Sequence, residues 1–389
     1  MSSAQFRLAY CSNIWTHHQS PICLELVRLL GEDRFAMCLF EAVHEERRNL
    51  GWAGAVPDDP WIVGPPNTDG DIQRLRQIVC DADVAVLGAC PQQIQAERVA
   101  TGKLTFIMGE RLMRKGHFRL RMLNPRFAWG IRWLRSTANR PNVHYLAIGA
   151  HAGADARTIG VFGDRMWKWG YFVPPTDRPF HERRPTSVRI LWAGRYIFWK
   201  RVDTIVRAIA TLGPLGDKCV LELIGAGPTR GSIERLAQRL GVSRRVLFGD
   251  PVAPEIVRQR MAEADIYVLP SNHLEGWGAV VGEAMCEGCV VVANKMAGAS
   301  RTLIEHGRTG FLFADGDVRG LGDILRSLIV DVDKRRDVGR AAATHMQQLW
   351  HPRIGAERLV ALCRGLLGLA PEVHYTTGPG CRVEVASCQ

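Results

Sequence analysis

The stretch DIYVLPSNHLEGWGAVVGEAMCEGCVVVA, residues 265–293, carries a complete structural unit in one run of chain. Residues 265–269 are short, apolar and rich in β-branched and aromatic side chains, as a buried strand requires. The loop that follows contains Gly276 and Gly278, which break regular structure. Residues 279–287 then fit a helix, and 289–293 return to the buried-strand pattern. Strand, helix and strand in such quick succession predict a β-α-β crossover and a parallel sheet.

The same rhythm extends in both directions. In the second half, strands are expected at 188–193, 219–224, 244–248 and 310–313, with helices at 202–212, 229–241, 253–263 and 317–330. In the first half, strands fit 5–10, 35–40, 82–88, 103–108 and 143–148, with helices at 20–30, 70–80 and 92–101. The proline-rich, polar segment VPPTDRPFHERRPTS, residues 173–187, interrupts the alternation and reads as a linker. The expected fold class is therefore α/β with two Rossmann-like domains, 1–175 and 188–345. A helix at 353–368, within a closing segment 350–370, follows Trp350-His351-Pro352, and 371–389 lacks a period and reads as a loose tail.

Composition agrees with this architecture. The 389 residues are 47% hydrophobic and 23% charged, enough apolar material for two cores. A net charge of +11 favours anionic partners such as phosphates or an acidic membrane surface. The opening MSSAQFRLAY lacks a signal-peptide pattern, and no run of eighteen apolar residues appears, so a cytoplasmic protein is expected. Of eleven scattered cysteines, Cys286 and Cys289 form a C-x-x-C without a second ligand pair nearby. They read as core residues at a helix end, and no metal is expected.

In an open parallel sheet, ligands bind beyond the carboxyl ends of the strands, so residues just after each strand carry the chemistry. After 188–193 come Gly194, which ends the strand, and the cations Arg195 and Lys200 on one loop. Arginine offers bidentate contact and lysine a point charge, a pair suited to a diphosphate. A plain basic surface loop is the bland alternative. After 219–224, Gly225-Ala226-Gly227-Pro228 forms a G-x-G turn of the kind that lets backbone approach a ligand, or is simply a tight turn. After 265–269, Glu275 lies on the loop and Glu283 in the next helix, with Gly276, Trp277 and Gly278 presenting backbone N–H groups between them. Free N–H groups at a helix start hold anions, and flanking carboxylates accept hydrogen bonds from sugar hydroxyls. Glu283 sits in the apolar run AVVGEAM, where an unserved carboxylate is costly. The set suits a nucleotide sugar.

Residues 188–330 resemble the C-terminal half of the family 4 (retaining) glycosyltransferases of group 1, with the GT-B fold. The matching elements are G-R-x4-K at 194–200, L-I-G-x-G-P at 223–228, P-S-x-x-x-E-G-W-G-x4-E-A-M at 270–285 and G-R-T-G-F-L-F at 307–313. The resemblance implies two Rossmann-like domains facing across a cleft, with the C-terminal helix crossing back to the N-terminal domain. It implies that Arg195 and Lys200 bind the donor diphosphate, that Glu275 and the backbone of Gly276 to Gly278 hold the sugar, and that Glu283 holds the ribose. Retention of configuration without a metal is implied too. The donor is a co-substrate, UDP- or GDP-linked, and no cofactor is expected. The expected acceptor is a hydroxyl of a saccharide or lipid-linked molecule, in envelope polysaccharide or lipid-linked glycan synthesis. A nucleotide-sugar epimerase on the same fold, or a non-catalytic nucleotide-sugar binder, are the alternative functions.

The first half follows the family less closely. After the first strand it has Ser12 to Ser20 in place of a glycine-rich loop, and the 103–108 strand ends Met108-Gly109-Glu110-Arg111 where relatives often carry a histidine. His17 and His18 are candidates for acceptor contact at the cleft, or residues of an ordinary surface loop. Residues 111–135 interleave arginines with Phe118, Phe127, Trp129 and Trp133. Such a stretch suits a packed helix with a solvated basic face or a peripheral contact with an anionic membrane. No nucleic-acid module accompanies it, and no nucleic-acid partner is expected.

Overall fold

The structure, a computed structural model, describes residues 6–42, 56–113, 122–176 and 187–384. Among these residues the chain forms two compact units: 1–172 together with 349–389, and 173–348. Most of the proline-rich segment, 177–186, lies outside the described residues, as do Arg119 and Arg121 of the basic stretch.

The first unit is built on a parallel sheet. Its elements are β1 (Leu8–Ser12), α1 (Ser20–Leu30), β2 (Phe35–Leu39), β3 (Ile62–Val63), α2 (Asp69–Asp81), β4 (Val84–Leu87), α3 (Gln92–Ala100), β5 (Leu104–Gly109), α4 (Pro125–Ala138), β6 (Val143–Ile148), α5 (Ala152–Ile159) and β7 (Met166–Trp169). The strand order is β3-β2-β1-β4-β5-β6-β7, with every pairing parallel. The central strands are buried along their whole length, which explains why they read as continuous apolar runs rather than alternating ones. Local chemistry sets the helix starts. Thr68 and Asp71 form a reciprocal capping box on α2, and Asn124 accepts from the N–H groups of Arg126 and Phe127 on α4. Buried Arg98 of α3 holds its guanidinium against the carbonyls of Val79, Ala82, Asp83 and Leu104. It thereby satisfies the end of α2 and the starts of two strands, while burial lowers its pKa to about 10.

The second unit repeats the plan: β8 (Val188–Ala193), α6 (Val202–Thr211), β9 (Cys219–Ile224), α7 (Arg230–Arg239), β10 (Val246–Gly249), α8 (Pro254–Glu263), β11 (Ile266–Leu269), α9 (Val280–Cys286), β12 (Val290–Asn294), α10 (Gly298–Leu303), β13 (Phe311–Phe313), α11 (Val318–Val330) and α12 (Val332–Leu349). The order β10-β9-β8-β11-β12-β13 is the doubly wound order, all parallel. Amphipathic faces close the core. Val202, Ile205, Val206 and Ile209 of α6 and Leu321, Leu325 and Leu328 of α11 bury their stripes against the strands. Cys286 and Cys289 are buried core residues at the α9 end, as the sequence implies, and burial raises Cys286 to about 12.

A last helix, α13 (Pro352–Leu366), belongs to the first unit and packs on α1. His351 accepts from Arg353 N–H and Pro352 occupies the first turn, so the cap is encoded where the chain turns.

Two sequence expectations are corrected. Helix α12 has no counterpart in the periodicity reading, because its buried stripe includes Arg335. That guanidinium is buried beside Asp265 at 3.4 Å and donates to the carbonyls of Leu328 and Ile329, so a charge occupies a core position. The tail is not loose within the described residues. Val383 N–H donates to the Met166 carbonyl, Gly380 N–H to that of Lys168, and Lys168 N–H to that of Cys381, so residues 380–383 pair along the β7 edge. Arg382 also lies over the Trp167 ring, 4.7 Å from its centroid. Edge pairing needs no side-chain period, so the sequence pattern does not announce it.

Candidate functional site

In the second unit the strand order reverses between β8 and β11. The loops after these two strands flank the switch point, where an open α/β sheet leaves its crevice. The β8–β11 ladder pairs Ile190 with Ile266 and Leu191 with Tyr267 and ends there, two residues short of either strand's end.

Backbone hydrogen bonds braid the loops together. Asn272 N–H donates to the Trp199 carbonyl at 2.9 Å, joining the β11 loop to the β8 loop. Asn272 Oδ1 accepts from Leu274 N–H at 3.0 Å and its carbonyl from Glu275 N–H at 2.9 Å, which folds the loop back and sets the Glu275 backbone. Lys200 Nζ then meets Glu275 Oε2 at 2.6 Å, with both side chains largely shielded from solvent. Gly298 N–H and Ala299 N–H donate to the carbonyls of Gly276 and Trp277, pinning the middle of the loop to the start of α10. Gly278 turns with φ +83°, and the N–H groups of Gly278 and Ala279 make no hydrogen bond among the described residues.

The G-x-G turn belongs to the same assembly. Gly225 has φ +143°, and a Cβ there would lie 1.9 Å from the Gly194 carbonyl oxygen. Only glycine lets these backbones approach so closely. Gly194 N–H donates to Ile224 and Tyr196 N–H to Ala226, so the turn is a brace for the loop that carries the cations. Arg230 reinforces the brace by donating to the Gly225 carbonyl at 3.2 Å and to Asp250 at 2.8 Å.

Each candidate residue from the sequence has a defined place. Arg195 is exposed and forms no ion pair among the described residues. Lys200 and Glu275 are brought together. Glu283 is buried in the first turn of α9. Trp277 is 2% exposed, so its indole is a core side chain and only its backbone serves the loop. His17 and His18 lie in the first unit after β1, their rings 3.9 Å apart, with His18 stacked on Tyr171 at 5.9 Å. Tyr171 hydroxyl donates to Glu110 Oε1 at 3.2 Å, so the loop after β5 shares this cluster.

Two residues escape sequence reading. Asn272 stands inside the motif but reads as an ordinary turn residue. Tyr267 reads as strand core, yet its hydroxyl donates to the Ala193 carbonyl at 3.1 Å and accepts from Ala193 N–H at 3.4 Å. Burial pushes this phenol above its usual range, the hydrogen bond to Ala193 pulls it down, and the carboxylates of Glu283 and Glu275 push it further up.

Comparison with known proteins agrees with this geometry. Residues 174–345 match the family model Glycosyl transferases group 1. A GDP-mannose-dependent alpha-(1-6)-phosphatidylinositol monomannoside mannosyltransferase of Mycobacterium tuberculosis is 29% identical over 188 residues, 47% of this chain and 48% of that protein. A D-inositol 3-phosphate glycosyltransferase of Paenarthrobacter aurescens is 32% identical over 227 residues, 57% of this chain and 55% of that one. The aligned region thus spans about half the length of these curated relatives. Among solved structures, HepE of Anabaena in complex with UDP superimposes with a TM-score of 0.66 at 18% identity, over 94% of this chain and all of that one. WaaG, a glycosyltransferase involved in lipopolysaccharide biosynthesis, gives 0.59 at 18% identity, over 92% of this chain and all of that one. These likenesses establish the two-unit GT-B fold. Over residues 174–345, less than half of its length, the chain is thus similar to the group 1 glycosyltransferases.

Proposed function

We propose that this chain transfers a sugar, with retention, from a nucleotide-sugar donor to a hydroxyl acceptor. The observation that carries the reading is the Lys200–Glu275 pair, with exposed Arg195 on the same loop as Lys200, all on loops that flank the switch point. Departure of a nucleoside diphosphate leaves negative charge on its outer phosphate. In this reading Arg195 and Lys200 stabilise that charge, and stabilising charge that develops in the transition state is what accelerates a reaction. Glu275 holds the lysine in place before the donor arrives, and its carboxylate accepts a hydrogen bond from a sugar hydroxyl. Buried Glu283 takes the ribose hydroxyls. The chemistry needs no side-chain nucleophile, because the leaving phosphate itself accepts the acceptor proton. Names of relatives point to both guanine and uracil nucleotides, so both belong in the test. Thermal shift with UDP and GDP is the direct experiment, since a ligand that binds only the folded state raises Tm. A rise that is lost in Lys200→Ala supports the reading. No rise with either overturns it.

For the acceptor we propose a lipid-linked or phosphate-bearing hydroxyl compound reached at an anionic membrane surface. Arg126, Trp129 and Arg132 fall at helical spacing on one exposed side of α4, with Leu123 just before it. Leu123 is 81% and Trp129 63% exposed, a combination of apolar and cationic groups that suits a bilayer interface. No helix of the described residues is long and apolar enough to cross a membrane. Any contact of this face is therefore superficial.

A further inference from the structure

Tyr267 occupies an unusual position in the second unit. It lies on β11, one of the two strands at the switch point, and is fully buried. It is also the last residue of β11 to pair with β8, opposite Leu191. Beyond that pair the two strands part, and Ala193 is left at the end of β8 without a ladder partner on the β11 side. Ala193 is half-buried, and a backbone N–H and carbonyl shielded from water without partners are costly. The Tyr267 hydroxyl serves both, donating to the Ala193 carbonyl at 3.1 Å and accepting from its N–H at 3.4 Å. Ala193 immediately precedes Gly194, Arg195 and the loop to Lys200.

We infer that Tyr267 is a positioning residue for donor binding: its hydroxyl fixes the point from which the Arg195–Lys200 loop departs. This rests on the reading of that loop as the diphosphate site. The geometry explains why a phenol is needed rather than any apolar strand residue. A side chain must bridge the gap left by the parting strands, and it must offer a donor and an acceptor at its tip. Tyrosine meets both needs, whereas phenylalanine fills the space alone. The same hydroxyl stays protonated, and hence able to donate, because burial and the nearby carboxylates of Glu283 and Glu275 disfavour the phenolate.

The second anchor of that loop is independent of Tyr267. It runs through Asn272 N–H to the Trp199 carbonyl and through the Lys200–Glu275 pair. Loss of the Tyr267 hydroxyl is therefore expected to loosen the beginning of the loop, where Arg195 sits, more than its end.

The test compares wild type, Tyr267→Phe and Val268→Ala. Val268 is the next residue of the same strand, fully buried in the core and remote from Ala193 in hydrogen bonding, so its truncation controls for general destabilisation. Two quantities are measured: the Kd for UDP and for GDP by calorimetry, and amide hydrogen exchange over residues 193–200 without ligand. The inference expects Tyr267→Phe to weaken whichever diphosphate binds by on the order of tenfold and to speed exchange at 193–197, with Val268→Ala near wild type in both. Unchanged exchange and affinity in Tyr267→Phe overturn it. Equal losses in Val268→Ala overturn it as well, since they show loosening of the whole unit. If wild type binds neither diphosphate, the donor reading fails and takes this inference with it, whereas a wild type that binds and a Tyr267→Phe that binds equally well sink only the inference.

Discussion

Lys200 Nζ lies 2.6 Å from Glu275 Oε2, across two loops separated by most of the second unit's sheet topology in sequence yet adjacent at its switch point. Neither charge is fully solvated. Removing either one leaves the other partly buried without its partner, which costs more than the pair is worth as a contact. Lys200→Ala is expected to lower sugar transfer by roughly 10²-fold or more, the range found when one group that stabilises developing negative charge is deleted. Glu275→Ala is expected to fall comparably. The double variant should be no worse than the more impaired single one, because the two act as a unit. Steady-state kinetics on the set decides it. Near-normal turnover in both single variants removes these residues from the site.

Gly225 tests the brace beneath that loop. Alanine there would place its Cβ 1.9 Å from the Gly194 carbonyl oxygen, at φ +143°. The backbone cannot accept this without moving Gly194, so Gly225→Ala should lose about 2–4 kcal/mol of stability and most donor binding. Chemical denaturation measures the first and calorimetry the second. Gly213, also at positive φ but with open space around it, provides the control: Gly213→Ala should cost only about 1 kcal/mol from backbone strain.

Arg201 adopts φ +49° at the start of α6, a left-handed conformation that disfavours side chains with a Cβ. Arg201→Gly relieves that strain and should raise stability by about 0.5–1 kcal/mol, visible as a higher Tm. A lower Tm would show that the Arg201 contact with Asp203, at 3.4 Å, outweighs the strain.

His144 sets a pH dependence. It is buried on β6 and accepts from Trp167 Nε1–H at 3.2 Å, a bond that needs the neutral ring. Burial first, then Arg165 and Arg382, depress its pKa from 6.5 to about 4. In the unfolded chain the ring takes up a proton near pH 6.5, while the folded protein resists until about pH 4. The unfolded state therefore binds more protons across that window. The stabilising contribution is complete above pH 6.5 and shrinks as the pH falls to about 4, by on the order of 3 kcal/mol in total. His144→Gln keeps an acceptor for Trp167 but does not titrate. Denaturation between pH 4 and 7 should show the difference between the two proteins closing as pH falls. A constant difference rules the mechanism out. His345 and His351, also depressed by burial, are present in both proteins and cancel.

The exposed face of α4 predicts binding to anionic vesicles. Wild type should sediment with phosphatidylglycerol-containing liposomes, and less so as salt rises. Trp129→Ala combined with Arg132→Glu should abolish most of it without changing Tm, since both side chains point to solvent. Equal sedimentation of the variant refutes the contact.

Much of this molecule is written locally. The alternation of short apolar runs with amphipathic stretches determined the strands β8 to β13, the helices between them except the short α10, and hence two parallel α/β sheets, because burial pattern and turn chemistry act over a few residues. The candidate loops at 194–200 and 270–285 were legible for the same reason: glycines, cations and carboxylates stand directly after strands. What tertiary structure alone decided is which of these meet. Strand order put the β8 and β11 loops on either side of one switch point and so joined Lys200 to Glu275. The parting of those strands turned Tyr267 from a core residue into the partner of Ala193. A buried Arg335 paired to Asp265 hid α12 from the apolar period, and backbone pairing alone laid residues 380–383 along β7. Each of these depends on hydrogen bonds or charge pairs between residues far apart in the chain, whose energies are realised only once the sheet has brought them together.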